Sequence, residues 1–207
     1  MANPPGWDAV HKFRMQGSPK IRLVFFWARN CVKNPAPLYA AKAASIFAAY
    51  GVGIDVYPAA AGGNYAPLPR VTLDYSDQVM TLDDARALRA MANGRFNDAD
   101  PTAPGHGKLK RLPVIFCQFR DRFAGDDDRQ AAFGSTVVTL DTWPPFILIN
   151  SERASEDGST LAHEIGHAAG LGHTAFNGYV MNYPPPERSE FLQPEMLKIV
   201  DAYFTRV

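Results

Sequence analysis

Residues 163–173 read His-Glu-Ile-Gly-His-Ala-Ala-Gly-Leu-Gly-His, placing three imidazoles and one carboxylate in a single short stretch. His163 and His167 are four residues apart, so on an α-helix they share one face, one turn above the other, and can grip one ion. Glu164, beside the first of them, can reach a water on that ion without ligating it. Gly170 tolerates a left-handed backbone at little steric cost, and so can end the helix and swing the chain around. That turn would bring His173 back as the third ligand. Three neutral imidazoles with an open fourth position make a catalytic zinc site rather than a closed structural one. A bare His-Glu-x-x-His arises by chance in long chains. The extended string is more specific, and three of the chain's five histidines fall in it.

Elements able to position these residues surround the string. Phe146-Ile147-Leu148-Ile149 is an apolar strand candidate upstream, and Gly158-Ser159-Thr160 offers a helix start with Ser159 or Thr160 as N-cap. Earlier, Ile21 to Trp27 is a dense apolar run that reads as a buried strand. The alanine-rich segment from Pro37 to Tyr50 reads as a helix stopped by Gly51 and Gly53, and Val52 to Tyr57 as a second strand. Gly62-Gly63-Asn64 and several prolines mark a loop. Thr81-Leu82-Asp83-Asp84 opens a helix with an acidic first turn, which Asn93-Gly94 is expected to end. A Gly- and Pro-rich loop then runs to Arg111. Strands are expected at Leu112–Phe119, Gly134–Leu140 and Pro145–Asn150, and a closing helix from Gln193 through Phe204.

Past the third histidine comes Val180-Met181-Asn182-Tyr183. The extended histidine string followed by a methionine-bearing turn resembles the metzincin zinc peptidases. Met181 stands where their Met-turn residue would, and its polarizable side chain would pack as a floor under the imidazoles. The short gap from His173 to Met181 resembles the matrixin branch. Tyr183, two after the methionine, resembles the astacin and serralysin branches instead, and Thr174 after the third histidine matches none of the usual branch signatures. The resemblance rests on residues 160–184 of the 207. It implies a fold of the α+β class: a metzincin-like (zincin) catalytic domain with a mixed, twisted five-stranded sheet, an antiparallel edge strand, an active-site helix and a C-terminal helix. The expected organisation is an N-terminal extension over 1–18 and one zinc metallopeptidase domain over 19–207. The helix beginning at Thr81 and the loop after it look like an insertion into that plan.

The activity implied is that of a zinc-dependent endopeptidase. One catalytic Zn2+ is held by His163, His167 and His173, and its water is activated by Glu164 as general base. Tyr183 would donate to the oxyanion or ligate the metal. The strand over Thr136–Leu140 would border the cleft and take up an extended peptide by strand addition. Tyr183-Pro184-Pro185-Pro186-Glu187 would wall the pocket beyond the scissile bond, with Arg188 either reaching into it or solvated. Gly125-Asp126-Asp127-Asp128 offers oxygen ligands where matrixins carry calcium, but its spacing is not that of an EF-hand, and a solvated acidic loop is preferred. His11 and His106 are too scattered to form the extra structural zinc site of matrixins. Gly105-His106-Gly107-Lys108 lacks the spacing of a phosphate-binding loop.

Composition fits this reading. The 207 residues have an ordinary globular apolar content of 46%, suited to one domain with a substantial core. Formal net charge is zero, so neither nucleic acid nor an anionic membrane is the expected partner; an extended peptide or protein substrate is, and a monomer. No stretch approaches transmembrane length, and Met1-Ala2-Asn3-Pro4-Pro5-Gly6-Trp7 lacks the layout of a secretory signal. A cytoplasmic protein, one exported by another route and one shown without its leader all remain open. Cys31 and Cys117 are expected as buried free thiols, a disulfide being open only if they lie on neighbouring strands. Two other functions compete with the peptidase: a silent or latent zinc-bearing binding module, and a zinc amidase acting on a non-protein amide. The intact Glu164 argues against the first.

Overall fold

In the computed structural model the described residues are 20–31, 36–57, 72–73, 79–80, 82–99, 112–118, 120–121, 134–137, 146–152, 158–175, 178–182, 190–192 and 195–199. Strand β1 (Lys20–Ala28) carries the apolar run that starts at Ile21, and helix α1 (Ala36–Ala48) crosses from it to β2 (Gly53–Tyr57). The short strands β3 (Thr72–Leu73) and β4 (Val79–Met80) precede α2 (Leu82–Ala99). Then come β5 (Leu112–Cys117), β6 (Arg120–Asp121), β7 (Gly134–Val137), β8 (Phe146–Asn150) and the histidine-bearing helix α3 (Thr160–Ala168). Residues 195–199 form a further helical turn.

The main sheet has the order β2-β1-β5-β8-β7, with β3 also pairing β1 beyond the end of β2. From β2 to β8 every pairing is parallel, with Leu23 opposite Leu112 and Val114 opposite Ile147. Strand β7 runs antiparallel to β8, with Thr136 opposite Ile147. A parallel strand in mid-sheet is covered on both faces, which is why β1, β5 and β8 are apolar at nearly every position instead of alternating.

Ile21, Leu23, Phe25 and Trp27 of β1 face a large core that includes Tyr39, Ala43 and Phe47 of α1 and Leu161, Ala162 and Ile165 of α3. Val24, Phe26 and Ala28 face a second core beneath Leu88 and Ala92 of α2. Helices therefore cover both faces of a mostly parallel sheet. This is a mixed α/β architecture rather than the α+β segregation expected, because parallel neighbours need crossovers and the crossovers carry the helices.

Two further expectations are corrected: with β3 the main sheet has six strands rather than five, and the second helix does not stop at Asn93-Gly94. Helix α2 runs through Asn93-Gly94 to Ala99. A glycine inside a helix costs about 1 kcal/mol but does not force a stop. A small parallel pair, β4 with β6, was not anticipated, since each strand has two residues and carries no periodic signal. No helix among the described residues is long and apolar enough to cross a membrane. Cys31 and Cys117 are free thiols. Cys117 is buried and burial pushes its thiol up, with Cys31 nearby adding to the effect, whereas Cys31 is only partly buried. Residues 1–19, the Gly105–Lys108 and Gly125–Asp128 segments, His11, His106 and residues 200–204 lie outside the described residues.

Candidate metal centre

Helix α3 packs against β7, β8 and α1, so its position is set from three sides. Ser159 sits at its N-cap with helical backbone angles, φ −76° and ψ −14°, and makes no side-chain capping bond. A capping hydroxyl needs an extended residue to aim it at the free N–H groups. The C-terminus is better closed. Gly170 has φ +81°, its N–H donates to the His167 carbonyl at 2.8 Å, and the Leu171 N–H donates to the Gly166 carbonyl at 3.0 Å. These two bonds define a Schellman turn, with glycine where a side chain would be strained. Lys198 Nζ donates to the Gly170 carbonyl from the C-terminal helical turn.

That turn returns the chain to the helix. His167 Nε2 lies 3.0 Å from His163 Nε2 and 3.1 Å from His173 Nε2. The other nitrogens face backbone carbonyls: His163 Nδ1 donates to Val180 O at 2.6 Å, and His167 Nδ1 to Leu171 O at 2.8 Å. A carbonyl can only accept, so in each neutral ring the proton is on Nδ1 and Nε2 presents a lone pair. Lone pairs that converge at this spacing repel unless something positive lies between them. A single proton bridges one pair. A tetrahedral zinc with Zn–N distances near 2.0 Å satisfies all three and separates its ligands by about 3.3 Å, close to the spacing observed. The three-histidine group can therefore hold a metal ion such as zinc.

His163 is 4% exposed, His167 is half-buried and His173 is exposed, so the group opens toward solvent on the His173 side. Glu164, on the same helix next to the first histidine, is also 4% exposed. Thr174 N–H donates to the Met181 carbonyl at 2.9 Å, which ties the residue after His173 to the turn over 179–182. Within that turn Asn182 N–H donates to Tyr179 O at 3.0 Å. Met181 is fully buried beneath the helix, its sulfur against Gly166.

His163, His167 and His173 are thus brought together at one point, with Glu164 beside the first of them on the helix, Gly170 in the turn that leads to the third, and Met181 packed against Gly166. Tyr183, with the proline run and Arg188, lies outside the described residues. Four contributors were not found from sequence. The carbonyls of Val180 and Leu171 belong to the backbone and leave no mark in residue type. Thr174 acts through its N–H. Gly166 did carry a signal, since a glycine inside a helix often marks a close approach.

No protein-family model and no curated protein matches the chain in sequence. What the structure supports is a three-histidine group able to hold a metal ion, two members on helix α3 and the third past its end, consistent with the His-Glu-x-x-His…His pattern, with a buried glutamate next to the first histidine.

Proposed function

We propose that this chain is a zinc-dependent endopeptidase of the metzincin type, with His163, His167 and His173 as ligands and Glu164 as general base. The observation that carries the reading is the convergence of three Nε2 atoms, two of them on rings oriented through Nδ1, with Glu164 on the adjacent helical position. His163, His167 and His173 would hold the zinc, which when bound would supply Lewis acidity and lower the pKa of water at the open position. Glu164 accepts the proton released as the new C–O bond forms and delivers it to the amine nitrogen as the C–N bond breaks. The Nδ1–H bonds to Val180 and Leu171 hold the His163 and His167 rings in one tautomer and raise their basicity as ligands. Tyr183 donates to the developing oxyanion.

The substrate in this reading is an extended peptide. Among the described residues strand β7 ends the sheet order and packs beside α3, and in this reading its outer edge takes up the peptide by strand addition. The deciding experiment measures metal content and cleavage of a peptide library by the wild type and by Glu164→Ala. One zinc per chain with cleavage only in the wild type supports the peptidase. Zinc with no cleavage in either moves the reading to a silent binding module or an amidase. No zinc overturns it.

A further inference from the structure

Tyr50 lies just past the end of α1, 141 residues from Phe191, yet its hydroxyl makes two bonds to that residue. It accepts the Phe191 N–H at 2.7 Å and donates to the Phe191 carbonyl at 3.1 Å. Phe191 is 2% exposed, and its ring packs on Phe47 at 5.3 Å and on Tyr50 at 6.4 Å between centroids. The N–H is buried with its residue, and the phenol serves as its acceptor in the core.

The N–H of Phe191 and the carbonyl of Glu190 belong to one peptide plane. That carbonyl accepts the Val180 N–H at 2.6 Å, and the Val180 carbonyl in turn accepts His163 Nδ1–H at 2.6 Å. A continuous path therefore runs from the phenol, through the 190–191 peptide and Val180, to the ring of the first histidine. Peptide planarity couples the Phe191 N–H to the Glu190 carbonyl, since neither end of that plane can tilt without the other, and the path then crosses a single α-carbon at Val180. The same C-terminal segment also reaches the other end of α3, where Lys198 Nζ meets the Gly170 carbonyl.

We infer that Tyr50 is a positioning residue for the metal centre: by fixing the 190–191 peptide it sets the Val180 carbonyl against His163 Nδ1 and so aims His163 Nε2. This rests on the metal-site reading above. Removing the hydroxyl leaves a buried N–H without its acceptor. The peptide then turns to find another, which draws the Glu190 carbonyl off Val180 and loosens the carbonyl that orients His163. Partners that orient metal-ligating histidines typically change metal affinity by roughly 10- to 100-fold when removed. Tyr50 acts one peptide further out, so the low end applies.

The test compares the metal-free wild type, Tyr50→Phe and Leu88→Ala, each titrated with Co2+ and with Zn2+ well below its melting temperature. Leu88 lies in the core on the far side of the sheet, so its variant loses stability without touching the path. The expected result is about tenfold weaker metal binding and an altered Co2+ visible spectrum in Tyr50→Phe, with both unchanged in Leu88→Ala. A wild-type spectrum and affinity in Tyr50→Phe overturns the inference and leaves the metal site standing. Equal changes in the two variants also overturn it, since general loosening then accounts for them. A wild type that binds neither ion overturns the metal reading itself, and the inference with it. Should Tyr50→Phe not fold, Tyr50→3-fluorotyrosine keeps the shape and both bonds while weakening the acceptor. It must then move the Co2+ spectrum in a direction that Leu88→Ala does not, and no movement overturns the inference.

Discussion

The sulfur of Met181 occupies the space that a β-carbon on Gly166 would fill, so the methionine beneath the histidines and a glycine inside the metal helix are packed as one unit. Leu171 Cδ1 closes the same space, 3.2 Å from where that carbon would stand. Alanine is the better helix former by about 1 kcal/mol, but overpacking a tight core costs roughly 1–3 kcal/mol. Gly166→Ala is therefore expected to destabilise the protein and weaken metal binding. In a Met181→Ala background the same substitution should lose most of its penalty. A double-mutant cycle by chemical denaturation measures the coupling, and additive effects would refute the packing argument.

Glu164 stands beside a ligand but is not placed as one. Under the proposed peptidase reading, Glu164→Gln should keep the metal and lower peptide turnover by at least about 100-fold, the usual contribution of a general base. Metal analysis and steady-state kinetics on the same preparation check both halves. Loss of metal in the variant would reassign the residue.

The histidines differ in burial, and their substitutions should differ accordingly. Each change to alanine is expected to abolish tight zinc binding. The cost to the metal-free protein should be largest for His163, which is buried and bonded to Val180, and smallest for the exposed His173. Melting curves in chelator establish that order. Adding zinc at 100 times its dissociation constant should then stabilise the wild type by about 2.7 kcal/mol and leave the three variants unmoved.

Burial pushes the Tyr50 hydroxyl up to about 12, opposed by its bond to the Phe191 backbone and reinforced by the nearby Glu190 and Glu195. A folded-state value above the unfolded one means that the neutral phenol stabilises the fold. That contribution is fully present below pH 10 and is lost as pH rises through about 12. Ultraviolet titration of tyrosinate should show a late-ionising group that is lost in Tyr50→Phe. The variant should also lose less stability than the wild type between pH 10 and 12.

At Gly170, φ +81° strains any L-residue. Gly170→Ala should cost on the order of 1–2 kcal/mol. Because the turn carries His173 back to the helix, zinc binding should weaken as well. Gly170→Asn should be milder on both counts, since asparagine tolerates the left-handed region. Denaturation midpoints and zinc titrations of the pair test the ordering.

Much of this site is local, and local features can be read from a sequence. His163 and His167 share a face because a helix repeats every 3.6 residues, and Gly170 stops that helix because only glycine enters the left-handed region without strain. The apolar runs of β1, β5 and β8 likewise announce strands buried on both faces. Strand order and helix placement are another matter: which strands pair, and that α2 lies on the opposite face from α1 and α3, follow from how the apolar faces are shared out in three dimensions. So do the contacts that hold the centre in shape. The Val180 and Leu171 carbonyls, the Gly166–Met181 packing and the 141-residue reach from Tyr50 to Phe191 join groups that are ordinary by type and distant in the chain. Residue identity and short-range geometry chose the three histidines. Only tertiary packing decided what aims them, because orientation depends on which backbone groups the folded chain brings against each ring.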